Sequence, residues 1–176
     1  RALATWPHAP PSTDAGPPAP DDELAAFKGF IERLVARHGY LDALLIGPSG
    51  EIIFSLRSED LAGSDLHAGP LRESNLAALF RHLRASPAGH ARFADTAPFL
   101  GRPSLFVGAE IQHQGVGAGV LALQLPLQRI DDLMAERPGL GASGESYLVG
   151  ADKRMRSDSY LQPEIRSVTA SFKGSI

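Results

Sequence analysis

The stretch YLDALLIGPSGEIIFS, residues 40–55, decides the fold of this chain. Its two apolar runs extend over Tyr40–Gly47 and Glu51–Arg57. Between them, a proline at 48 and a glycine at 50 supply the backbone angles that a tight turn requires. The pattern predicts two antiparallel strands joined by a hairpin.

The rest of the chain predicts three more strands and three helices. Apolar residues at three- and four-residue spacing predict a helix over Asp21–His38, a second helix capped by Ser74, and a short helix over Leu127–Arg137. The predicted fold class is α+β, with a five-stranded antiparallel sheet and an N-terminal helix. The three later strands are Ala91–Ala97, Ser104–His113 and Val116–Leu125.

The composition is that of an ordinary globular domain without covalent staples. The 176 residues are 43% hydrophobic and 21% charged, and the net charge is -3. Lysine and arginine are scattered, so the sequence has no basic patch for nucleic acid. Cysteine is absent, which excludes disulfides and thiolate chemistry. No apolar run approaches the roughly 20 residues that span a bilayer, so we expect membrane contact only through segments that flank this chain.

The sequence carries none of the motifs that mark common catalytic or cofactor sites. Its six histidines are never three or four residues apart, which is the helical spacing of many zinc sites. The glycines at 115, 117 and 119 precede a strand instead of a helix, so they are not a dinucleotide fingerprint. A nucleophile elbow and a P-loop are also missing. We therefore expect no catalysis, no metal and no cofactor; a small hydrolase built from scattered Ser, His and Asp is the opposing hypothesis.

A polar loop, residues 58–71, joins the second strand to the second helix. It carries Asp65, His67 and two further acids, and it is longer than most connections. We therefore expect this loop to enclose a ligand instead of contributing to the core. Arg72, at the exit of the loop, is interpreted either as a ligand clamp or as a solvated residue.

Strand alternation selects further candidates, because every second side chain shares a face. Ser55 and Arg57 form one such pair, and Phe93 and Asp95 form another. If these faces point toward the loop, Arg57 would clamp a ligand carboxylate and Asp95 would bind an ammonium group or hydroxyls. Arg57 is equally well interpreted as a surface residue.

Two polar residues, Glu110 and Gln124, interrupt otherwise apolar strands. A polar group within a sheet must be hydrogen-bonded or face solvent, so these residues either contact a ligand or lie at an edge. The candidate ligand-binding residues are Ser55, Arg57, Asp65, His67, Leu71, Arg72, Phe93, Asp95, Glu110 and Gln124.

The chain divides into three parts. Six prolines within residues 1–20 predict an extended linker. Residues 21–138 form the first folded unit, and the apolar face of its first helix packs on the sheet or also forms a homodimer seam. Within residues 139–176, strands over 146–150 and 155–159 repeat the pattern of the first hairpin, which predicts the opening of a second, similar unit.

Three stretches resemble bacterial double Cache domains. Residues 40–55 look like their opening hairpin, residues 119–130 are similar to the last strand and exit helix of their membrane-distal unit, and residues 144–159 resemble the start of their membrane-proximal unit. The resemblance implies a PAS-like fold and the extracytoplasmic sensing region of a transmembrane receptor, with a chemoreceptor, histidine kinase or cyclase output. It also implies that a small molecule, often an amino acid or a carboxylate, binds in the distal unit.

The chain departs from the amino-acid-binding members of this family at two of three positions. These members carry an Arg and a Trp-Tyr pair near the junction of loop and helix, whereas Asp65–Arg72 contains neither aromatic. The run Phe93-Ala94-Asp95 fits their aromatic–x–Asp motif, and their acid on the last strand falls near Gln124. We expect a small ligand that carries a carboxylate or an amine; the competing hypothesis is a cytoplasmic PAS-like or profilin-like interaction module.

Overall fold

The structure, a computed structural model, describes residues 20–87 and 89–173, with side chains from residue 25 onward. Almost all of the predicted linker 1–20 lies outside these described residues. One antiparallel sheet has the strand order β2-β1-β5-β4-β3, so β2 and β3 are its edges, and the prediction of five antiparallel strands is confirmed. The strands are β1 Asp42–Ile46, β2 Ile52–Ser55, β3 Arg92–Phe99, β4 Arg102–His113 and β5 Val116–Leu125.

The three predicted helices form, together with a fourth in a region for which the sequence made no prediction. Ser74 begins the second helix as expected, because its side chain accepts a hydrogen bond of 3.1 Å from the backbone N–H of Ala77. None of the helices within the described residues is long and apolar enough to cross a membrane. The helices are α1 Pro20–His38, α2 Asn75–Ala85, α3 Gln128–Met134 and α4 Val168–Ser171.

The two faces of the sheet pack against different helices. We call the face that packs against α1 the helix-1 face and the face that packs against α2 the helix-2 face. On the helix-1 face, Ile31 and Val35 of α1 pack with Ala43 of β1. On the helix-2 face, α2 lies close to β4, because a Cβ atom added at Gly108 would meet the side chains of Leu79 and Leu83 at 3.1 Å. Strand alternation therefore decides on which side each candidate residue lies.

The loop 58–71 is part of the core of the helix-2 face, and the expectation that it only covers a ligand is wrong. Leu61, Leu66 and Leu71 are each less than 8% exposed and belong to one cluster with the buried residues of β1, β2 and α2. Burial of a leucine side chain stabilises a fold by roughly 1.5–3 kcal/mol, which outweighs the polarity of the residues between the three leucines. The loop thus contributes three leucines to the core of this face.

Backbone hydrogen bonds also fasten this loop to the edge strand β2. Ile52 N donates to Ser64 O at 2.8 Å, and Gly63 N donates to Ile52 O at 2.8 Å. Leu66 N donates to Gly50 O at 2.9 Å. The loop thus occupies part of the β2 edge and protects it from pairing with other chains.

The C-terminal segment, residues 139–173, forms the predicted turn but not the predicted strands. Gly150 N donates to Arg154 O and Arg156 N donates to Leu148 O, both at 2.8 Å, and Val149 and Met155 make one isolated bridge. A two-stranded hairpin alone is marginally stable, and no further strand within the described residues pairs with it. Side-chain contacts to the first unit hold this segment in place instead.

Candidate functional site

A buried polar cluster lies at one end of the helix-2 face and contains two of the predicted residues. The carboxylate of Asp42 accepts hydrogen bonds from Ala43 N at 2.7 Å, from Arg57 N at 2.9 Å and from Ser55 Oγ at 2.7 Å. Gln124 Nε2 donates to Ser104 Oγ at 3.0 Å. The polar atoms of Ser55 and Gln124 are thus paired within the fold, as buried polar groups usually are.

Arg57 does not share a strand face with Ser55, so that prediction is wrong. Strand β2 ends at Ser55, and the chain then turns so that the backbone N–H of Arg57 reaches Asp42. The side chain of Arg57 is exposed. Asp42, a buried carboxylate on the preceding strand β1, binds the backbone just after the end of β2, and no local pattern in the sequence reveals this contact.

The four predicted residues of the loop and its exit do not form one site. Leu71 is buried in the core, whereas Asp65, His67 and Arg72 are exposed. His67 lies edge-on to the ring of Phe80 at 5.6 Å, and its backbone N–H donates to Asp65 Oδ1 at 2.7 Å. His67 and Arg72 border a surface depression together with Glu73 and Arg81, whereas the buried Leu71 packs in the core.

Glu110 pairs with a cation of α2. Arg84 Nη1 lies 2.5 Å from Glu110 Oε1, and the Glu110 side chain is only 11% exposed. Gly117 of β5 makes room for this pair, because a Cβ atom at that position would collide with both side chains. The charge of Glu110 is therefore balanced within the fold.

A cavity of about 250 Å³ lies between α2 and the edge strand β3, and two predicted residues, Phe93 and Asp95, line it. Phe93 is 70% exposed, which is unusual for an aromatic side chain of this size. We call this space the α2–β3 cavity. Its lining residues are Asn75, Ala78, Leu79 and His82 of α2, and Phe93, Ala94, Asp95, Thr96 and Ala97 of β3.

A bulge in β3 shapes this cavity. Ala94 pairs with Phe106 of β4, whereas the next paired residue is Ala97, so the register shifts between them. Asn75, at the start of α2, bridges the bulge: its Nδ2 donates to Asp95 O at 3.0 Å and to the backbone of β4 at 2.7 Å. Asn75 Oδ1 is buried and, among the described residues, has no hydrogen-bond partner. A donor from a ligand or a water would satisfy it.

The Asp95 carboxylate already has a cation. Arg156 of the C-terminal segment donates from Nε to Oδ1 at 2.7 Å and from Nη2 to Oδ2 at 2.8 Å. These hydrogen bonds, helped by the backbone N–H of Thr96, hold the pKa of Asp95 below its ordinary value against the opposing effect of partial burial. The sequence did not reveal this partner, because the two residues are 61 positions apart and no local spacing connects them.

The ten predicted residues therefore do not converge on one pocket. Ser55 pairs in register with Leu44 on the helix-2 face, whereas Phe93 aligns with Val107 and, across β4, with Leu123 on the helix-1 face. Phe93 and Asp95 lie together at one cavity, and His67 and Arg72 lie together at another. Within residues 20–87 and 89–173, no three His, Asp or Glu side chains are placed to hold a metal ion. A role of any of the ten in ligand binding stays a prediction.

Two solved sensor domains share the fold of this chain. The ligand-binding domain of the Pseudomonas fluorescens chemoreceptor CtaA, in complex with L-serine, aligns with a TM-score of 0.55 and 17% identity over 87% of this chain and 63% of that chain. The sensory domain of the Campylobacter jejuni chemoreceptor Tlp3 aligns with a TM-score of 0.58 and 13% identity over 88% of this chain and 62% of that chain. This chain thus spans less than two thirds of the length of either domain.

Sequence comparison is less informative than comparison of structures. No protein-family model matches the chain, and no curated protein matches its sequence. At 13–17% identity, the structural matches establish the fold alone. The chain has the α+β fold of chemoreceptor sensor domains, which confirms the predicted Cache-like architecture.

Proposed function

We propose that this chain is the extracytoplasmic ligand-binding region of a transmembrane signalling receptor, and that it binds a small molecule without transforming it. The fold supports this proposal, since the CtaA domain with the same fold holds L-serine. The observation that carries the proposal is the α2–β3 cavity, whose lining residues include Asn75, with its unpaired buried acceptor, and the carboxylate of Asp95.

The chemistry of the cavity favours a ligand with an amine. Asn75 Oδ1 and the Asp95 carboxylate are both acceptors, so they attract a group that donates hydrogen bonds or carries positive charge. A cavity of about 250 Å³ lies near the small end of ligand sites, which favours a small amine over a peptide.

A binding screen with a cavity-filling variant tests this proposal. The purified chain is screened by thermal shift against amino acids and small primary amines. A ligand at 100 times its dissociation constant stabilises the fold by about 2.7 kcal/mol, which raises Tm by about 5–10 °C for a chain of this size. The best compound is then titrated by calorimetry against two variants.

The first variant, Ala78→Leu, fills the cavity from an exposed helical position. The matched control, Ala85→Leu, makes the same change at the exposed end of α2, where the residue does not line the cavity. We expect Ala78→Leu to abolish binding and Ala85→Leu to retain it. Equal binding by both variants would place the ligand elsewhere, and a screen without any stabilising compound would count against the sensor function.

Two further features belong to the same proposal. Residues 21–138 are the membrane-distal unit and residues 139–176 begin a second one, in a protein whose flanking segments anchor it so that this region lies in the periplasm. The chain forms a homodimer through α1, where Phe30 is 56% exposed beside the half-buried Leu34. Phe30→Asp should convert a dimer to a monomer in sedimentation velocity, whereas Ala25→Asp, which places the same charge at an exposed position about 140° around the helix from Phe30, should leave the dimer intact; equal behaviour would exclude this seam.

A further inference from the structure

The guanidinium of Arg156 occupies a socket made by two elements that are far apart in sequence. Its side chain is only 10% exposed. Besides the two hydrogen bonds to Asp95, Nη2 donates to Asp152 Oδ1 at 2.9 Å and Nη1 donates to Arg154 O at 3.0 Å. A planar guanidinium with several donors in a fixed fork matches this arrangement, and a point-like ammonium would not.

The side walls of the socket also fit a planar guanidinium. The ring centroid of Phe172, which is 1% exposed, lies 5.6 Å from Arg156 Cζ. On another side, a Cβ atom added at Gly150 would lie 2.5 Å from Cζ. The absence of a side chain at Gly150 therefore leaves the space that the guanidinium fills.

The two partners differ in their access to solvent. The Arg156 side chain is buried within the C-terminal segment, whereas the Asp95 side chain is 66% exposed on an edge strand and lines the α2–β3 cavity. A cation in that cavity would thus reach the carboxylate without first entering the segment. Such a cation would share Asp95 with Arg156 and weaken the bidentate pair.

The other polar contacts between the segment and the first unit include four hydrogen bonds from the Arg137 guanidinium, just after α3, to the carbonyls of Gly141, Ala142 and Gly144. Asp158 N donates to Asp131 Oδ1 at 2.6 Å, and Ser146 Oγ donates to Met134 O at 3.1 Å. Both of these contacts are made to α3 or its immediate end, which lies outside the sheet. The pair between Arg156 and Asp95 is therefore the charged connection between the segment and the sheet among the ion pairs of the described residues.

We propose that this socket is a guanidinium-binding site that the chain fills with its own Arg156, and that it acts as a latch between β3 and the C-terminal segment. A cation that enters the α2–β3 cavity competes for Asp95 and loosens the segment. The competition rests on the proposed function, because it requires a cationic ligand in that cavity. The latch itself does not depend on the proposed function, since the pair between Arg156 and Asp95 is present in the ligand-free chain.

Hydrogen exchange of the intact 176-residue chain, followed by mass spectrometry over residues 145–173, tests the latch. Arg156→Ala leaves the socket empty and Asp95 unpaired, and we expect amide protection in this segment to fall about tenfold or more. The control Arg92→Ala also removes one positive charge, but from an exposed position on β3, the strand that carries Asp95. It should leave the protection of the segment unchanged. Equal protection in the two variants would overturn the latch.

Chemical rescue tests whether the socket recognises a guanidinium. Methylguanidinium at about 20 mM, within the millimolar range of effective concentrations for tethered groups, should restore protection in Arg156→Ala, whereas sodium chloride at the same ionic strength should not. The rescue should fail in Arg156→Ala combined with Gly150→Ala, because the added methyl group occupies the socket. Rescue by neither salt, or by both equally, would refute a guanidinium site.

The competition is tested with the best amine from the ligand screen. Arg156→Ala should bind this amine severalfold more tightly than the unsubstituted chain, because the tethered competitor is gone. Unchanged affinity would overturn the competition while the ligand site stands. If methylguanidinium restored protection but no amine bound, the guanidinium site would be supported and the sensor function would be refuted.

Discussion

The loss of stability on substitution of Leu66 by alanine shows whether the loop 58–71 is part of the hydrophobic core or only covers it. Leu66 is 1% exposed, and its backbone N–H is held by Gly50 O at 2.9 Å, so the loop cannot simply collapse into the space left by the lost atoms. Fully buried Leu→Ala changes cost about 2.7–5 kcal/mol, more where the cavity persists. We expect a loss of about 3 kcal/mol from the free energy of unfolding, and a Tm lower by about 6–12 °C.

Urea unfolding followed by circular dichroism gives this difference at constant m-value. The control is Leu133→Ala, which makes the same change on the 59%-exposed surface of α3 and should cost less than about 1 kcal/mol. If Leu66→Ala cost no more than the control, the loop would be a detachable cover. The space beneath it would then again be a candidate ligand site, and the argument for the α2–β3 cavity would fail.

Three further predictions concern the cavity and its supports. Because the pKa of Asp95 is lowered chiefly by the hydrogen bonds from Arg156, the stabilisation by this pair is fully present above the unfolded pKa and is lost as the pH falls through the lower folded pKa. The urea midpoint of the unsubstituted chain should thus fall more steeply below about pH 4 than that of Asp95→Asn. If the midpoints of the two proteins fell in parallel, the acid sensitivity would instead belong to Asp152, which faces the same guanidinium and also has a lowered pKa. Phe93→Ala, at a 70%-exposed position that lines the cavity, should change stability by less than about 1 kcal/mol but weaken the best amine about fivefold or more in calorimetry, because the cavity loses part of its wall; unchanged affinity would remove Phe93 from the site. Ser74→Ala should cost about 1 kcal/mol in thermal unfolding, and Ser74→Asp should restore most of it because it keeps the N-cap acceptor; equal losses would show that the cap is not what matters.

The secondary structure was predictable because its signals are local. The turn at 48–50 and the alternating strands around it depend on neighbouring residues, and the α2 cap depends on a contact across three positions. Boundaries were less accurate, since β2 ends at Ser55 where Asp42 binds the following backbone. The order of the strands within the sheet was not predicted, because it depends on pairings between segments that are far apart in the sequence.

The candidate site was only partly predictable, for the same physical reason. Phe93 and Asp95 were found from strand alternation, and they do line a cavity. Asn75 was missed, because an unpaired amide oxygen at a helix start has no sequence signature. Arg156 was missed because its role depends on a contact 61 residues away.

The order of residues was enough to establish a cysteine-free α+β chain with the five strands of its sheet, the first turn and the Ser74 cap near their observed places, since these depend on backbone preferences and on which side chains alternate. Tertiary packing alone decided that three leucines of the loop join the core, that Phe93 and Asp95 line a cavity beside β3, and that the carboxylate there faces an arginine of the same chain. Burial and ion pairing depend on which atoms are in contact in the folded chain. Strand register and the docking of the C-terminal segment determine those contacts, and they join residues too far apart in the sequence for a local pattern to reveal.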